Sequence, residues 1–200
     1  MNYPSGIKKN TQIKNSFLKK ESYKNRGMTL ENELNSSNEY YREIDKAYIY
    51  KKPTPIKITK VDYPSRDKTI IKEAFFTIPS TTDYNGIYKG KYIDFEAKET
   101  KSTTSFSLTN IHKHQITHLE NIYNHGGIAF LIVRFTTLNE TYLLPEKNFK
   151  VFLETEERKS IPIDFFRNYG DLIKDGYRPR VDYLKKDDEL IGGKKNKKKI

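Results

Sequence analysis

Residues 80–100 read STTDYNGIYKGKYIDFEAKET, and the rest of the chain is best interpreted outward from them. With the two-residue period of a strand, the second half has unlike faces: Ile93, Phe95 and Ala97 on one side, Asp94, Glu96 and Lys98 on the other. Thr81 and Asp83 share one side of the extended stretch before it. Asn85-Gly86 and Lys89-Gly90-Lys91 carry the turn chemistry that lets a chain double back. Such a hairpin brings Asp83 close to Glu96 and Lys98. Two carboxylates and a lysine converging at a sheet edge point to metal-dependent phosphodiester chemistry.

Downstream, Asn110 is placed to cap a helix over 111–125, closed by Gly126-Gly127. Its apolar face is Ile116, Leu119, Ile122 and Tyr123. Gln115 lies one turn before Leu119, so its amide falls on or beside the buried face and can point back to the carboxylate-bearing strands. Residues 128–135, IAFLIVRF, form the most continuously apolar run. Short, β-branched and aromatic, following a helix that follows a strand, it predicts a strand–helix–strand unit with a doubly buried central strand. A strand over 140–144, a helix over 146–154 and a helix over 161–169 with Pro162 in its first turn are expected next. Residues 177–181 read as a basic, extended segment.

Upstream, Thr29 can cap a helix whose apolar positions are Leu30, Leu34, Tyr41 and Ile44, reaching about residue 48 as one helix or a broken pair. Glu33 lies one turn from Leu30 and can face the same interior, but a helical carboxylate is more often a solvated surface group, so neither Glu31 nor Glu33 is favoured as a site group. A short strand over 47–51 is stopped by Pro53 and Pro55. Ile56, Ile58 and Val61 then alternate with Lys57, Thr59 and Lys60, and after a turn at 63–67 a second extended run covers 70–78. Together these predict a long hairpin with Arg66 and Lys68 at its tip. Lys57, Lys60, Arg66 and Lys68 are candidate DNA contacts; the alternative is edge-strand charge that discourages aggregation.

The 200 residues suffice for one domain with a real core. Thirty-seven Lys and Arg against 26 Asp and Glu give a formal charge of +11, which favours a polyanionic partner, nucleic acid above membrane. The absence of cysteine excludes disulfides, thiolate nucleophiles and cysteine zinc sites. The polar, lysine-rich start carries no apolar signal region, and nothing reaches membrane-spanning length, so a cytoplasmic location is expected. The chain divides into a disordered basic arm at 1–25, a folded domain at 26–185 with a hairpin at about 56–78, and a flexible basic tail at 186–200. Of the four histidines, His114 and His118 share a helix face, but no third ligand completes a zinc set.

Phosphodiester hydrolysis needs the phosphate charge neutralised and the departing oxyanion stabilised. Asp and Glu are the hard oxygen donors that hold Mg²⁺, and a lysine adds a fixed positive charge. Glu-x-Lys on a strand sets both heads on one face, roughly 6.6–6.8 Å apart along the backbone, so both can reach one phosphate. The order helix, strand with Asp, strand with Glu-x-Lys, helix, strand resembles the PD-(D/E)xK nuclease core, with Thr82 where that label has proline.

The stretches NRGMTLENELN (25–35), KKPTPIKITKVDYP (51–64), STTDYNGIYKGKYIDFEAKETKSTTSF (80–106) and HQI (114–116) resemble the RecU family of Holliday junction resolvases. The likeness covers roughly 25–183. It implies an α/β, restriction-endonuclease-like fold: a mixed central sheet flanked by helices, with residues 56–78 as a protruding β-hairpin stalk that enters the junction centre. It implies a Mg²⁺-dependent homodimer that makes paired symmetric nicks in four-way junction DNA during recombination and repair, with recombinase and branch-migration proteins as expected partners. Position by position, Thr81, Asp83, Glu96 and Gln115 match the family's metal site and Lys98 its transition-state lysine. The competing readings are a non-catalytic junction-binding or architectural protein, and a PD-(D/E)xK nuclease acting on linear duplex.

Overall fold

Thr29 opens the first helix as its side chain leads one to expect: the Asn32 backbone N–H donates to Thr29 Oγ1 at 3.4 Å. The computed structural model describes residues 29–65, 68–76 and 81–185. The arm expected over 1–25, the tail over 186–200 and Arg66 at the stalk tip lie outside the described residues.

Helix α1 (Leu30–Glu43) is followed by strand β1 (Tyr48–Lys51), the strand pair β2 (Ile56–Ser65) and β3 (Lys68–Phe76), then β4 (Tyr84–Tyr88) and β5 (Lys91–Thr100). A short β6 (Ser105–Ser107) leads to α2 (Lys113–Asn124), β7 (Ile128–Phe135), β8 (Glu140–Pro145), α3 (Glu146–Thr155), β9 (Ser160–Pro162), α4 (Ile163–Tyr169) and β10 (Asp171–Ile173). The main sheet has six strands in the order β1-β4-β5-β7-β8-β10. Among the described residues only the β5–β7 pair is parallel, joined by the crossover through α2. This is the expected mixed α/β sheet flanked by helices, with β2–β3 forming a separate antiparallel ribbon.

The sheet buries both faces, and β7 explains how. Ile128, Phe130 and Ile132 pack on the α1 side with Leu30, Leu34 and Tyr41. Ala129, Leu131, Val133 and Phe135 pack on the other side with Leu119, Phe149 and Phe166. A buried central strand therefore reads as a continuous apolar run rather than an alternating one. Across the α1 face the rings of Tyr84, Phe95 and Phe130 stack at 4.8 and 4.7 Å, locking β4, β5 and β7 together.

One charge interrupts that run. Arg134 is buried and donates to Glu33 Oε2 at 2.6 Å, while Arg180 donates to Glu33 Oε1 at 3.2 Å. Glu33 thus is a buried anchor that ties α1 to the sheet and to the C-terminal segment. Such a carboxylate is tolerated inside because it is paired on both oxygens.

Several local expectations are corrected. α1 is one helix and stops at Glu43, with Ile44 about half exposed and Asp45 at φ 53°. Asn85-Gly86 lies inside β4; the turn is Lys89-Gly90, both at positive φ, the geometry that matches strand twist. Gly86 serves a different purpose, because a Cβ there would meet Tyr48 O of β1 at 2.0 Å. Asn110 ends a 3-10 turn, and His112 is the N-cap of α2. Tyr123 is 40% exposed rather than part of the buried face. Pro162 closes β9, which pairs with β6, and precedes α4 as its N-cap. Residues 177–180 form a loop rather than an extended segment: Gly176 N donates to Arg180 O at 2.8 Å.

Candidate active site

The β4–β5 hairpin places Tyr84 opposite Phe95, so the chain just before β4 runs beside Glu96 and Ala97. The Ala97 backbone N–H donates to Asp83 Oδ2 at 3.3 Å. Asp83 and Glu96 are thereby brought together from positions 13 apart in sequence.

Glu96 is fully buried on the α2 side of the sheet. Its Oε1 accepts from Lys98 Nζ at 2.5 Å and from Gln115 Nε2 at 2.7 Å. Its Oε2 has no hydrogen-bond partner among the described residues. Burial, and after it the charge of Asp83, push its pKa up to about 7, against the lowering effect of Lys98 and Gln115. Lys98 is one strand period away; its side chain is 28% exposed and lines the adjoining cleft, while its ammonium is held on Glu96 Oε1.

Gln115 is fixed by the helix start. Its Oε1 accepts from the His112 backbone N–H at 3.0 Å, one half of a capping box, which leaves its NH₂ free to face Glu96. The amide's orientation follows from the capping bond.

An open cleft lies beside this group, lined by Thr29, Leu30, Asp83, Ala97, Lys98 and Glu99 among others. Glu99 Oε1 accepts from Leu30 N at 2.9 Å, fastening the start of α1 to β5 at the cleft wall.

Thr81 is exposed, and its hydroxyl accepts from Lys52 Nζ at 3.0 Å. That bond ties it to a neighbouring polar cluster around Lys52, a residue that sequence reading did not single out. Lys52 precedes Pro53 in a polar link, and no periodicity marks it. Its ammonium lies 2.7 Å from Asp94 Oδ2 and donates to Thr82 Oγ1 at 2.6 Å. Asp94, which the strand period places on the charged face, is fully buried; it also accepts from the Tyr92 hydroxyl at 3.0 Å and stands 3.2 Å from His118 Nε2. His118, partly exposed on α2, closes this second polar cluster. Thr82, the neighbour of Thr81, donates to Asp94 Oδ1.

Lys57, Lys60 and Lys68 all sit exposed on the β2–β3 ribbon, away from this group in the sheet topology. Lys72 of the same ribbon pairs with Asp62 at 3.5 Å.

The donor set suits a hard divalent cation of the Mg²⁺ kind. Among the described residues no cluster of three or more His, Cys, Asp or Glu forms a metal cage. Mg²⁺ does not need one: it is ordinarily bound by one or two carboxylates and keeps several waters. A buried carboxylate oxygen without a partner, next to a second carboxylate that destabilises its charge, is the environment a cation would relieve.

Acid, acid, lysine and amide on a mixed α/β sheet beside an open cleft define the class as a nuclease. The comparisons give the family. The family model described as RecU, Recombination protein U, matches residues 25–189. A protein of Geobacillus sp. (strain WCH70) named Holliday junction resolvase RecU is 54% identical over 187 residues, covering 91% of this chain and 93% of its own. One of the same name from Bacillus thuringiensis (strain Al Hakam) is 51% identical over 188 residues, covering 92% and 94%. The solved Hjc of Archaeoglobus fulgidus, titled a Holliday junction resolvase, aligns over 68% of this chain and 91% of that one at 12% identity and TM-score 0.39, which by itself decides nothing. The chain belongs to the RecU family. Among the described residues no helix is long and apolar enough to cross a membrane.

Proposed function

We propose that this chain is an endodeoxyribonuclease that resolves Holliday junctions, acting in the cytoplasm through the nuclease domain at 26–185. The observation that carries the catalytic reading is the Glu96 carboxylate, held by Lys98 and Gln115 on one oxygen, unpartnered on the other, with Asp83 alongside. Membership of RecU and the named relatives supply the substrate.

Asp83 and Glu96, with Gln115 and Thr81, would hold Mg²⁺, which when bound neutralises phosphate charge and makes water more acidic. Gln115 fixes the rotation of the Glu96 carboxylate. Lys98 presents a positive charge at the cleft, where it stabilises the added negative charge of the phosphoryl transition state. It reaches that point already oriented, because Glu96 holds its ammonium. The exposed lysines of the β2–β3 ribbon, Lys57, Lys60 and Lys68, with Arg66, supply phosphate contacts for the junction centre.

One such site makes one cut. Two symmetric nicks require two sites, which a two-fold homodimer supplies. The recombinase and branch-migration machinery would be natural neighbours of such an activity.

The deciding assay compares wild type, Asp83→Ala and Lys98→Ala on end-labelled four-way and linear DNA with and without Mg²⁺. Paired nicks in the junction by wild type alone, dependent on Mg²⁺, are expected. Junction cleavage that survives loss of Asp83 would refute the site. Equal cutting of linear duplex would favour a general nuclease, and junction binding without any cleavage an architectural protein.

A further inference from the structure

The segment 81–83 carries Thr81 and Asp83 but lies ahead of β4, outside the regular strand. Its position therefore depends on what holds it, and one residue bonds every position of it. The Lys52 backbone N–H donates to Asp83 O at 2.8 Å. Its Nζ donates to Thr82 Oγ1 at 2.6 Å and to Thr81 Oγ1 at 3.0 Å. All three residues of the segment are thus bonded to Lys52.

The ammonium is in turn anchored to the rest of the site. Asp94 Oδ2, 2.7 Å away, comes from β5 two residues before Glu96. His118, 3.2 Å from that same oxygen, comes from α2 three residues after Gln115. The three elements that contribute Asp83, Glu96 and Gln115 therefore meet around one cation. Lys52 is pre-set for this by Pro53, which restricts the residue before it to extended backbone. A hydroxyl oxygen has two lone pairs, so accepting from Lys52 leaves Thr81 able to face a metal.

We propose that Lys52 is a positioning residue for metal binding: it holds the Thr81–Asp83 segment against β5 at the spacing that a divalent cation requires between Asp83 and Glu96. This rests on the reading of those carboxylates as the metal site. Groups that orient ligands from behind commonly carry about 10–100-fold in metal affinity or activity. Arginine cannot replace lysine here, because a planar guanidinium cannot address Asp94, Thr82 and Thr81 in three directions.

The test uses the full chain and Mn²⁺ alone as probe, titrated calorimetrically into wild type, Lys52→Met, Lys52→Met/Asp94→Asn and Asp83→Asn, with melting curves alongside. Lys52→Met leaves Asp94 buried without its cation and is expected to melt lower. The double variant removes the orphaned charge and is expected to recover most of the melting temperature. Both are expected to bind Mn²⁺ about 10–100-fold more weakly than wild type. Wild-type Mn²⁺ affinity in the folded double variant would overturn the proposal, leaving Lys52 a purely structural ion pair. Asp83→Asn separates the two levels. If it binds Mn²⁺ like wild type, the metal reading itself falls and this inference with it. If it binds weakly while the Lys52 variants bind normally, only the role of Lys52 is lost.

Discussion

Gln115 and Glu96 are joined by a 2.7 Å hydrogen bond whose donor is aimed by the cap of α2. Gln115 Oε1 takes the His112 N–H and its NH₂ faces the carboxylate. Helix initiation and the geometry of the candidate site are thus coupled through one amide. Gln115→Ala is expected to lower junction cleavage about 10–100-fold and stability by about 1 kcal/mol through the lost cap. Glu at this position keeps the cap acceptor but sets two carboxylates face to face, and should cut more poorly still at neutral pH. Initial rates and melting curves of the two variants check this; full activity in Gln115→Ala would remove the orienting role.

With Glu96 as a ligand of the proposed metal site, its raised pKa makes metal binding depend on pH. Its folded value, about 7, lies above the usual 4.5, because burial and Asp83 disfavour the charge. The folded state therefore holds the proton more tightly than the unfolded one. That contribution is fully present below pH 4.5 and is lost as pH rises through about 7. Mg²⁺ must displace this proton at low pH but meets a bare carboxylate above 7. The rise in melting temperature caused by Mg²⁺ should be larger at pH 8 than at pH 5.5. Scanning calorimetry at both values, with and without Mg²⁺, measures it; equal shifts would be incompatible with Glu96 as a ligand.

Glu146 offers a pH effect remote from the cleft. It is 1% exposed, its Oε2 has no partner among the described residues, and burial followed by Glu120 raises its pKa to about 6. The favourable protonated form is lost as pH climbs from about 4.5 through 6. Glu146→Gln keeps a neutral group at every pH, so it should stabilise the protein above pH 6 and be neutral near pH 4. A gain of about 1 kcal/mol corresponds to roughly 2–4 °C in melting temperature for a chain of this size. Melting curves at pH 4 and pH 8 decide it.

Gly86 is a packing requirement of the edge strand. Its Cβ would sit 2.0 Å from Tyr48 O and 2.7 Å from Ile49 Cα, both backbone atoms that cannot rotate away. Gly86→Ala should cost about 1–3 kcal/mol and loosen β1, exposing the amides of residues 48–51 to hydrogen exchange. An unchanged exchange rate there would show that β1 tolerates the shift.

The ribbon lysines predict a salt signature. Each lysine that neutralises a phosphate adds about 0.9 to the slope of log affinity against log salt. Replacing Lys57, Lys60 and Lys68 by alanine together should reduce the slope by about 2–3 for junction binding measured in Ca²⁺. Lys72→Ala, already paired with Asp62, is expected to change it less. A slope that does not move would place the DNA elsewhere.

The sequence by itself determined the parts of this protein that depend on short-range periodicity. The alternation of Ile93, Phe95 and Ala97 with Asp94, Glu96 and Lys98 set the faces of β5. The run 128–135 announced a strand buried on both sides, and Thr29 its helix start. The stretches 80–106 and 114–116 carried the family likeness, and with it the five candidate site residues. Tertiary structure alone decided which polar groups are inside and what they face. Glu33 lies one turn from Leu30 and so can face the interior, but its partner Arg134, 101 positions away, is visible only in the fold. Asn85-Gly86 reads as a turn until β1 passes within contact of the glycine. Lys52 has no local signature, since its partners Thr82 and Asp94 lie 30 and 42 positions downstream. A side chain's local pattern records the face it occupies, but a buried charge is chosen by its partner, and partners are set by strand order. The hairpin at 80–100 was legible as a pair of carboxylates and a lysine; the residues that hold it in place became visible only once β1, β5 and α2 were folded around it.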